Sequence, residues 1–222
     1  MPERTALVTG GSGGLGRAVV DALLDEGWRV VAPIRADGDL QERDRLSTVV
    51  ADLTVPDAVA RAVRFASDGP LLGALVNLVG GFAAGQPVAD TPVKEFERLF
   101  ELNLRPTYLM TQAVLPRLVA AGGGSIVCTS SSAALAPFAG GSGYAASKAA
   151  VIAFARAVAA EGKPDGVRCN VIVPTQIDTP ANRASIPESD WGKLVPPERI
   201  AATVAFLCSE ASAAINGATI PV

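Results

Sequence analysis

The sequence predicts a single α/β domain in which a doubly wound, mostly parallel seven-stranded sheet carries helices on both faces. Its 222 residues suit one domain with a large core rather than two small ones. Short apolar runs alternate along the chain with helix-like stretches, and this alternation is typical of a parallel sheet covered on both sides. Because crossovers between parallel strands are right-handed, the order of elements favours the doubly wound arrangement.

Seven short apolar runs define the strands. They lie at 5–9, 29–33, 48–51, 74–79, 125–129, 168–173 and 218–222. Two longer stretches, 69–89 and 118–147, carry no charged side chain, so membrane spans are an alternative interpretation. Glycines, serines and prolines interrupt both stretches. We therefore predict buried strands and loops of a parallel sheet, and no membrane partner.

The stretches between the strands predict helices. They lie at 14–26, 56–66, 93–120 and 198–209, and a further helix starts near Tyr144. The first has leucine and valine at helical spacing, and the second begins with a proline in its first turn. The stretch 93–120 is long enough for two helices or for one helix with a kink at Pro106 or Pro116. Residues 174–197 show no periodicity and form an irregular region.

Composition excludes several classes of function. The chain contains no histidine, so it cannot hold a Ser-His-Asp or Cys-His catalytic group or a zinc site that uses histidine. Cys128, Cys169 and Cys208 are too far apart in sequence for a C-x-x-C pair, so we predict no metal site. Scattered thiols without a signal peptide fit a reducing, cytoplasmic location. A net charge of −3 without a basic run predicts no nucleic-acid partner.

The glycine cluster near the start satisfies two patterns that predict different chemistry. Read as G-x-S-x-G, residues 10–14 would present Ser12 as a nucleophile, but that serine needs a histidine as its base. The same letters, "TGGSGGLG", match T-G-x-x-x-G-x-G, a nucleotide-binding turn. Such a turn lets the backbone approach a pyrophosphate, and the following helix directs free N–H groups at the same anion. The residues of this predicted cofactor turn are Thr9, Gly10, Ser12, Gly13, Gly14, Leu15 and Gly16.

A second informative stretch contains Tyr144 and Lys148, four residues apart at the start of a helix and hence on one face of it. A phenol titrates near pH ~10, so its use in proton transfer at neutral pH requires a group, such as an ammonium, that stabilises the phenolate. Ser131 lies at the carboxyl end of the predicted fifth strand, where its hydroxyl could bond a substrate oxygen. The alternative is an ordinary pair of surface side chains.

In this order and spacing, the motifs resemble the short-chain dehydrogenase/reductase family over essentially the whole chain. The glycine turn looks like the family's cofactor turn, and Ser131, Tyr144 and Lys148 fall where the family has its catalytic serine, tyrosine and lysine. Further matches are Asp52-Leu53 to the adenine contact after the third strand, Asn77 and Gly80 in "VNLVGG" to the N-x-A-G motif, and Asn103 in "FELNL" to the helix asparagine. This sequence has Val79 where the N-x-A-G motif has alanine. Asn77 therefore has either a structural role or a cofactor contact.

The resemblance implies a Rossmann fold over residues 1–222, a single NAD(P)-binding domain that needs no metal. Hydride would pass between nicotinamide C4 and a small-molecule carbonyl or secondary alcohol substrate. Tyr144 would exchange the proton with the substrate oxygen, and Ser131 would orient that oxygen. Lys148 would hold the nicotinamide ribose and lower the pKa of Tyr144, while Asn103 would hold a water that continues the proton path.

The resemblance also implies a homotetramer or homodimer. From 145 to 160 only Lys148 and Arg156 are charged, so the helix there is apolar nearly all round and must be covered on more than its sheet-facing side. The long helical stretch 93–120 offers a neighbouring surface for the same interface.

Residues 175–197 occupy the position of the family's substrate-covering loop, with an ordinary surface loop as the alternative. At its start Pro174, Ile177 and Thr179 match the family's cofactor-contacting residues, Thr179 at the carboxamide. The segment "DTPANRASIPESD" is similar to dihydropteridine reductases, so a quinonoid dihydropteridine is an alternative substrate. A protein that binds a dinucleotide without turnover, as a sensor or scaffold, is an alternative from another class.

The end of the second strand predicts which cofactor is used. NAD-specific enzymes of this fold usually place an acid there against the ribose hydroxyls, and that acid repels a 2′-phosphate. Here Ile34 takes the position and Arg35 follows, so we predict that NADP(H) is favoured over NAD(H). Against this prediction, Asp37 or Asp39 could replace the missing acid, and the glycine turn lacks the second basic residue of many NADP-dependent members. Arg35 could then be a solvated charge at the strand end.

Overall fold

A computed structural model of the protein contains one sheet of seven strands and describes residues 4–222, so residues 1–3 of the predicted domain lie outside the described part. The strands are β1 (Arg4–Thr9), β2 (Arg29–Ile34), β3 (Leu46–Val50), β4 (Leu71–Asn77), β5 (Gly124–Thr129), β6 (Val167–Val173) and β7 (Thr219–Pro221). Their order is β3-β2-β1-β4-β5-β6-β7, and every neighbouring pair is parallel. The chain thus winds outward from β1 in both directions, which confirms the predicted doubly wound α/β fold.

Seven α-helices connect the strands. They are α1 (Gly14–Asp25), α2 (Pro56–Ser67), α3 (Val93–Asn103), α4 (Arg105–Ala120), α5 (Ser142–Gly162), α6 (Pro180–Arg183) and α7 (Pro197–Cys208). The predicted stretch 93–120 forms two helices that meet at Leu104. Pro106 has no N–H to donate to the carbonyl of Leu102, which ends the first helix, whereas Pro116 is accommodated inside α4.

Both faces of the sheet are buried. Along β1, Leu7 packs into the core under α2, α4 and α5, while Ala6 and Val8 pack into the core under α1 and α7. Strands covered on both sides need apolar residues at successive positions, which explains the uncharged runs of the sequence. Across residues 4–222, each helix is too short or too polar to cross a lipid bilayer.

The predicted irregular region contains two short helical segments. One is α6, and the other is a 3₁₀ turn at Glu188–Lys193. A single bridge between Ile177 and Val195 closes the segment at its base. The two ends of the region, after β6 and before α7, therefore lie side by side.

Candidate active site

A cavity of about 1030 Å³ opens where the strand order reverses, at the carboxyl ends of β1 and β4. This is the point at which doubly wound sheets bind their ligands, because the connections from the two central strands run in opposite directions and leave a crevice. Of the predicted cofactor residues, its lining includes Gly10, Ser12, Gly13, Arg35, Asp52, Leu53 and Gly80.

The glycine turn fits the phosphates of a dinucleotide. Gly10 has a φ of +70°, which favours glycine, and a Cβ on Gly16 would lie 2.0 Å from the Gly10 carbonyl oxygen. These two glycines let α1 begin directly against the turn. The residue before α1, Gly13, provides no side-chain cap, and the first turn of α1 holds no acidic residue. The free N–H groups and the positive end of the helix dipole therefore face an anion without competition.

Thr9 fixes the turn to the neighbouring strand and is itself buried. Its hydroxyl accepts hydrogen bonds from the amides of Leu78 (3.1 Å) and Val79 (3.5 Å). These two residues thereby leave the sheet, so β4 ends at Asn77 and not at the predicted residue 79. The result is that Gly80 reaches the wall of the cavity.

Arg35 is exposed and lines the same cavity as the glycine turn, near Asp52. The Asp52 carboxylate accepts two hydrogen bonds from Thr54, from its amide at 2.9 Å and its hydroxyl at 2.7 Å. These bonds, with a smaller contribution from the charge of Arg35, lower the pKa of Asp52. Asp52 is therefore an ionised acceptor at the position predicted for the adenine contact.

Arg17 also lines the cavity, and the sequence prediction missed it. Its guanidinium donates to the carbonyls of Ser12 (3.1 Å) and Asp39 (2.8 Å), which brings it to the same wall as Arg35. The Asp39 carboxylate accepts from the amide of Ala36 over 3.1 Å. The signal available in the sequence was the position of Arg17 in the predicted helix, directly after Gly16, the last glycine of the motif.

Tyr144 and Lys148 lie in the first turns of α5, and Ser131 follows β5 by two residues. Burial raises the pKa of Tyr144 above its usual 10.0, and the Ser131 hydroxyl, a hydrogen-bonding neighbour, lowers it by a smaller amount. Lys148 donates to the carbonyl of Thr129 over 3.2 Å, and its effect on the pKa of Tyr144 stays a prediction. Burial lowers the pKa of Lys148 to about 8.

Asn103, at the end of α3, uses both polar atoms of its carboxamide in contacts within the protein. Its Oδ1 accepts from the amide of Gly81 over 2.8 Å, and its Nδ2 donates to the hydroxyl of Ser147 over 3.0 Å. A Cβ on Gly80 would lie 2.7 Å from Asn103 Oδ1 and 2.8 Å from Lys148 Nζ. The glycine is therefore needed for α3 and α5 to approach the loop after β4.

Two of the predicted cofactor residues point into the protein. Asn77 is buried and donates to the Thr111 hydroxyl over 3.3 Å, towards α4, which matches the structural role that the sequence left open. Leu15 is buried in the core under α1.

The start of the irregular region lies against the glycine turn. A Cβ on Gly14 would lie 2.5 Å from Thr179 Cγ2, so Thr179 covers the first residue of α1. Ile177 packs against the core under α1 and α7, and the Pro174 carbonyl accepts from the amide of Ser132 over 2.9 Å. These contacts bring residues 174–179 to the rim between the glycine turn and Ser131.

The sequence analysis also did not predict an aromatic contact beside Tyr144. The ring of Phe82 lies edge-on to that of Tyr144, with 4.9 Å between centroids, and Phe82 stacks against Phe138 at 6.4 Å. The signal was that each uncharged stretch, 69–89 and 118–147, contains a strand followed by a loop, and the two strands, β4 and β5, are parallel neighbours, so both loops start at the same edge of the sheet. Within residues 4–222, no three histidine, cysteine or acidic side chains cluster as a metal site.

Comparisons with known proteins agree with this geometry. A family model described as short chain dehydrogenase matches residues 4–190. The chain is 31% identical to a 2-(R)-hydroxypropyl-CoM dehydrogenase of Xanthobacter autotrophicus, over 98% of this chain and 96% of that protein. It is 33% identical to a D-threitol dehydrogenase of Mycolicibacterium smegmatis, over 97% of this chain and 89% of that protein.

A solved structure shares both fold and sequence. The 3-ketoacyl-(acyl-carrier-protein) reductase from Brucella melitensis, complexed with NADH, is 28% identical and superposes with a TM-score of 0.88 over 99% of this chain and 96% of that chain. The resemblance read from the sequence is confirmed. The chain belongs to the short-chain dehydrogenase/reductase family, as an NAD(P)-dependent oxidoreductase that transfers hydride between nicotinamide C4 and the carbon of a carbonyl or alcohol group.

Proposed function

We propose that this protein reduces or oxidises its substrate with Tyr144 as the proton donor and acceptor. The observation that carries the proposal is the meeting of Tyr144, Ser131 and Lys148 at the carboxyl ends of the strands, beside the cavity that the glycine turn lines. A tyrosine at its ordinary pKa of 10.0 is protonated at neutral pH, and burial raises the pKa of Tyr144 further, so Tyr144 carries the proton that it would donate to a carbonyl oxygen. Ser131 holds that oxygen from the other side.

The nicotinamide cofactor, when bound, supplies the hydride. The glycine turn would hold its pyrophosphate, Asp52 and Leu53 its adenine, and residues 174–179 its carboxamide end. Lys148 would hold the ribose, since its amino group lies directly behind Gly80 of the cavity wall, where a Cβ would be 2.8 Å from Nζ. Asn103 would hold a water that continues the proton path, and it also positions the loop after β4 and α5 through its bonds to Gly81 and Ser147.

We further propose that NADP(H) is favoured over NAD(H). Ile34 at the end of β2 brings no carboxylate against a 2′-phosphate, while Arg35 and Arg17 both line that wall of the cavity. Arg17 supplies the second basic group that the glycine turn itself lacks. Asp39 is the opposing influence, although its carboxylate is engaged by the Ala36 amide. Two guanidiniums favour the phosphate through charge-assisted hydrogen bonds.

The outer surface of α4 and α5 supports a homo-oligomer. Tyr108 is 45% exposed and Val119 is 37% exposed on α4, and the Tyr108 ring contacts that of Phe154 on α5 at 5.8 Å. Aromatic and aliphatic side chains exposed together mark an association surface. We propose a dimer or tetramer formed through these two helices. All three cysteines are buried free thiols, which supports the cytoplasmic location.

Residues 175–197 would act as the substrate-covering loop of a single domain that spans 1–222. The segment holds itself together: Arg183 pairs with Asp178 at 2.5 Å and stacks on Trp191 at 4.8 Å from the ring centroid. Its attachment at Thr179 to the start of α1 connects the loop to the cofactor turn. Such a segment can tighten over a ligand while its base remains anchored.

The test is oxidation of NADPH and NADH by the wild-type protein with diketones, quinones, oxoacyl thioesters and pterins. Turnover of at least one carbonyl that is lost in Tyr144→Phe supports the proposal. Turnover of the pterin alone would support a dihydropteridine reductase. Cofactor binding without turnover of any compound would support a sensor or scaffold and contradict the assignment of Tyr144.

A further inference from the structure

Phe82, Phe138 and Tyr144 form what we call the aromatic wall of the site. Phe82 lies in the loop after β4, and Phe138 precedes α5 with its ring over Gly141, where a Cβ would lie 2.7 Å from the ring. Phe82 is 65% exposed and Phe138 is 46% exposed, so both rings are open to a ligand. Burial of such rings is favourable, and nothing in the fold of these residues requires their exposure.

The segments around the aromatic wall offer no free cation that would recognise an anionic substrate, and Glu188 is the one acid of the loop 175–197 that forms no ion pair within residues 4–222. The two stretches that bring Phe82, Phe138 and Tyr144 together, 69–89 and 118–147, contain no charged residue. In the loop 175–197, Arg183 is paired with Asp178 and Lys193 with Asp190. Both loop cations are therefore neutralised by their own neighbours.

A cavity next to the aromatic wall likewise offers no free cation. It has a volume of about 310 Å³ and begins at Ala83, directly after Phe82. Its one carboxylate, Glu95, is held by two hydrogen bonds from Arg98, at 2.7 and 2.9 Å. The remaining polar side chains of its lining, Gln86, Thr91 and Ser142, are uncharged.

From this wall and its neutral surroundings, we propose that the substrate is an uncharged ketone, or the matching secondary alcohol, with an aromatic ring next to the reacting carbon. The ring would pack on Phe82 and Phe138 while the oxygen faces Tyr144 and Ser131. Edge-to-face and offset contacts of this kind favour an aromatic ring over an alkyl group. In the reduction, the carbonyl carbon gains hydride, its oxygen gains the Tyr144 proton, and the reduced nicotinamide is oxidised.

This inference rests on the proposed function, and the experiment separates the two. Wild-type kcat/KM is measured for 1-phenyl-1,2-propanedione, for 2,3-butanedione, which lacks the ring, for benzoylformate, which adds a carboxylate, and for the ketose erythrulose. We expect 1-phenyl-1,2-propanedione to exceed each of the other three by at least about tenfold, from the burial of one ring. Equal or faster reduction of benzoylformate or erythrulose would overturn the substrate class and leave the reaction intact.

Substitutions of Phe82 then test whether the aromatic wall causes the preference for the substrate that carries a ring. The ratio of kcat/KM for phenylpropanedione to that for butanedione should fall at least about fivefold in Phe82→Ala and by a smaller factor in Phe82→Leu. Phe206→Ala is the matched control, since Phe206 is an exposed phenylalanine on α7, on the opposite side of the sheet from α5. An unchanged ratio in Phe82→Ala would overturn the role of the wall.

Binding distinguishes failure of the inference from failure of the proposed function. Calorimetry with the Tyr144→Phe variant and NADPH measures phenylpropanedione affinity without proton transfer by Tyr144. Tight binding without reduction by the wild-type protein would keep the aromatic site and refute the assigned chemistry. Binding no tighter than that of butanedione would refute the aromatic site.

Discussion

Asn103 donates a hydrogen bond from Nδ2 to the Ser147 hydroxyl over 3.0 Å, and both side chains are buried. Ser147 in turn donates to the carbonyl of Tyr144 over 2.8 Å, while Asn103 Oδ1 accepts from the amide of Gly81 over 2.8 Å. One buried network therefore joins the loop after β4, the end of α3 and the first turn of α5. The position of Tyr144 depends on all three.

The Ser147→Ala variant tests this network. It leaves the Asn103 donor buried without its acceptor, and we expect a loss of about 1–3 kcal/mol in the free energy of unfolding, measured in urea. Ser67→Ala is the control, because the Ser67 hydroxyl only bonds the Val63 carbonyl within its own helix. Wild-type stability in Ser147→Ala would show that the network is not holding the site together.

The Tyr144→Phe variant tests the proton transfer. We expect turnover to fall by about 10² or more, the usual scale for loss of a general acid, with little change in cofactor affinity. The chain has one other tyrosine, Tyr108, and Tyr108→Phe is the matched control. Turnover within about threefold of wild type in Tyr144→Phe would contradict the assignment.

The pH dependence of cofactor affinity tests Lys148. Its pKa is lowered to about 8, so its charge is lost as pH rises through that value, and the dissociation constant for the cofactor should increase above pH 8. Fluorescence titration of the reduced cofactor between pH 6 and 9.5 measures this, with Lys148→Met as a control that should be weak and insensitive to pH over this range. A flat wild-type profile would contradict a ribose contact by the ammonium.

The same depressed pKa affects stability. Because the folded pKa is about 8 and the usual value is 10.5, the unfolded chain binds more protons between these values. The contribution of Lys148 to the free energy of unfolding therefore rises with pH over that window. Lys148→Met should remove this rise, and urea unfolding of both proteins at pH 8 and pH 10 measures it.

The cofactor preference tests Arg35 and Arg17. We expect kcat/KM with NADPH to exceed that with NADH by at least about tenfold, since a charge-assisted contact is worth roughly 1.5–3 kcal/mol. Arg35→Ala should erode the preference mainly through KM, and Arg17→Ala should act in the same direction. Arg156→Ala, on an exposed position of α5, is the control. Equal or better use of NADH by the wild-type protein would refute the role of Arg35.

The association state tests the surface of α4 and α5. We expect no stable monomer at micromolar concentration, and Tyr108→Asp should weaken the assembly because it adds a charge to an apolar interface. Sedimentation velocity measures both. A wild-type species of 22.6 kDa under these conditions would contradict the proposed interface.

Local patterns of residues were enough to predict the helices and strands and the contacts within one turn or one helix. Apolar runs and helical spacing predicted the doubly wound sheet because burial on both faces requires successive apolar residues. The glycine turn and the spacing of Tyr144 and Lys148 were equally readable, since each lies within one turn or one helix. The family resemblance added Ser131, Asn103 and the other site residues in their order.

The surroundings of these residues depend on how distant segments pack together in the folded chain. The end of β4 depends on the Thr9 hydroxyl, and the approach of Arg17 to the cavity depends on the carbonyl of Asp39, a residue distant in sequence. The raised pKa of Tyr144 and the lowered pKa of Lys148 arise from desolvation. Desolvation and contacts between distant segments are properties of the packed core, so no local pattern of residues encodes them.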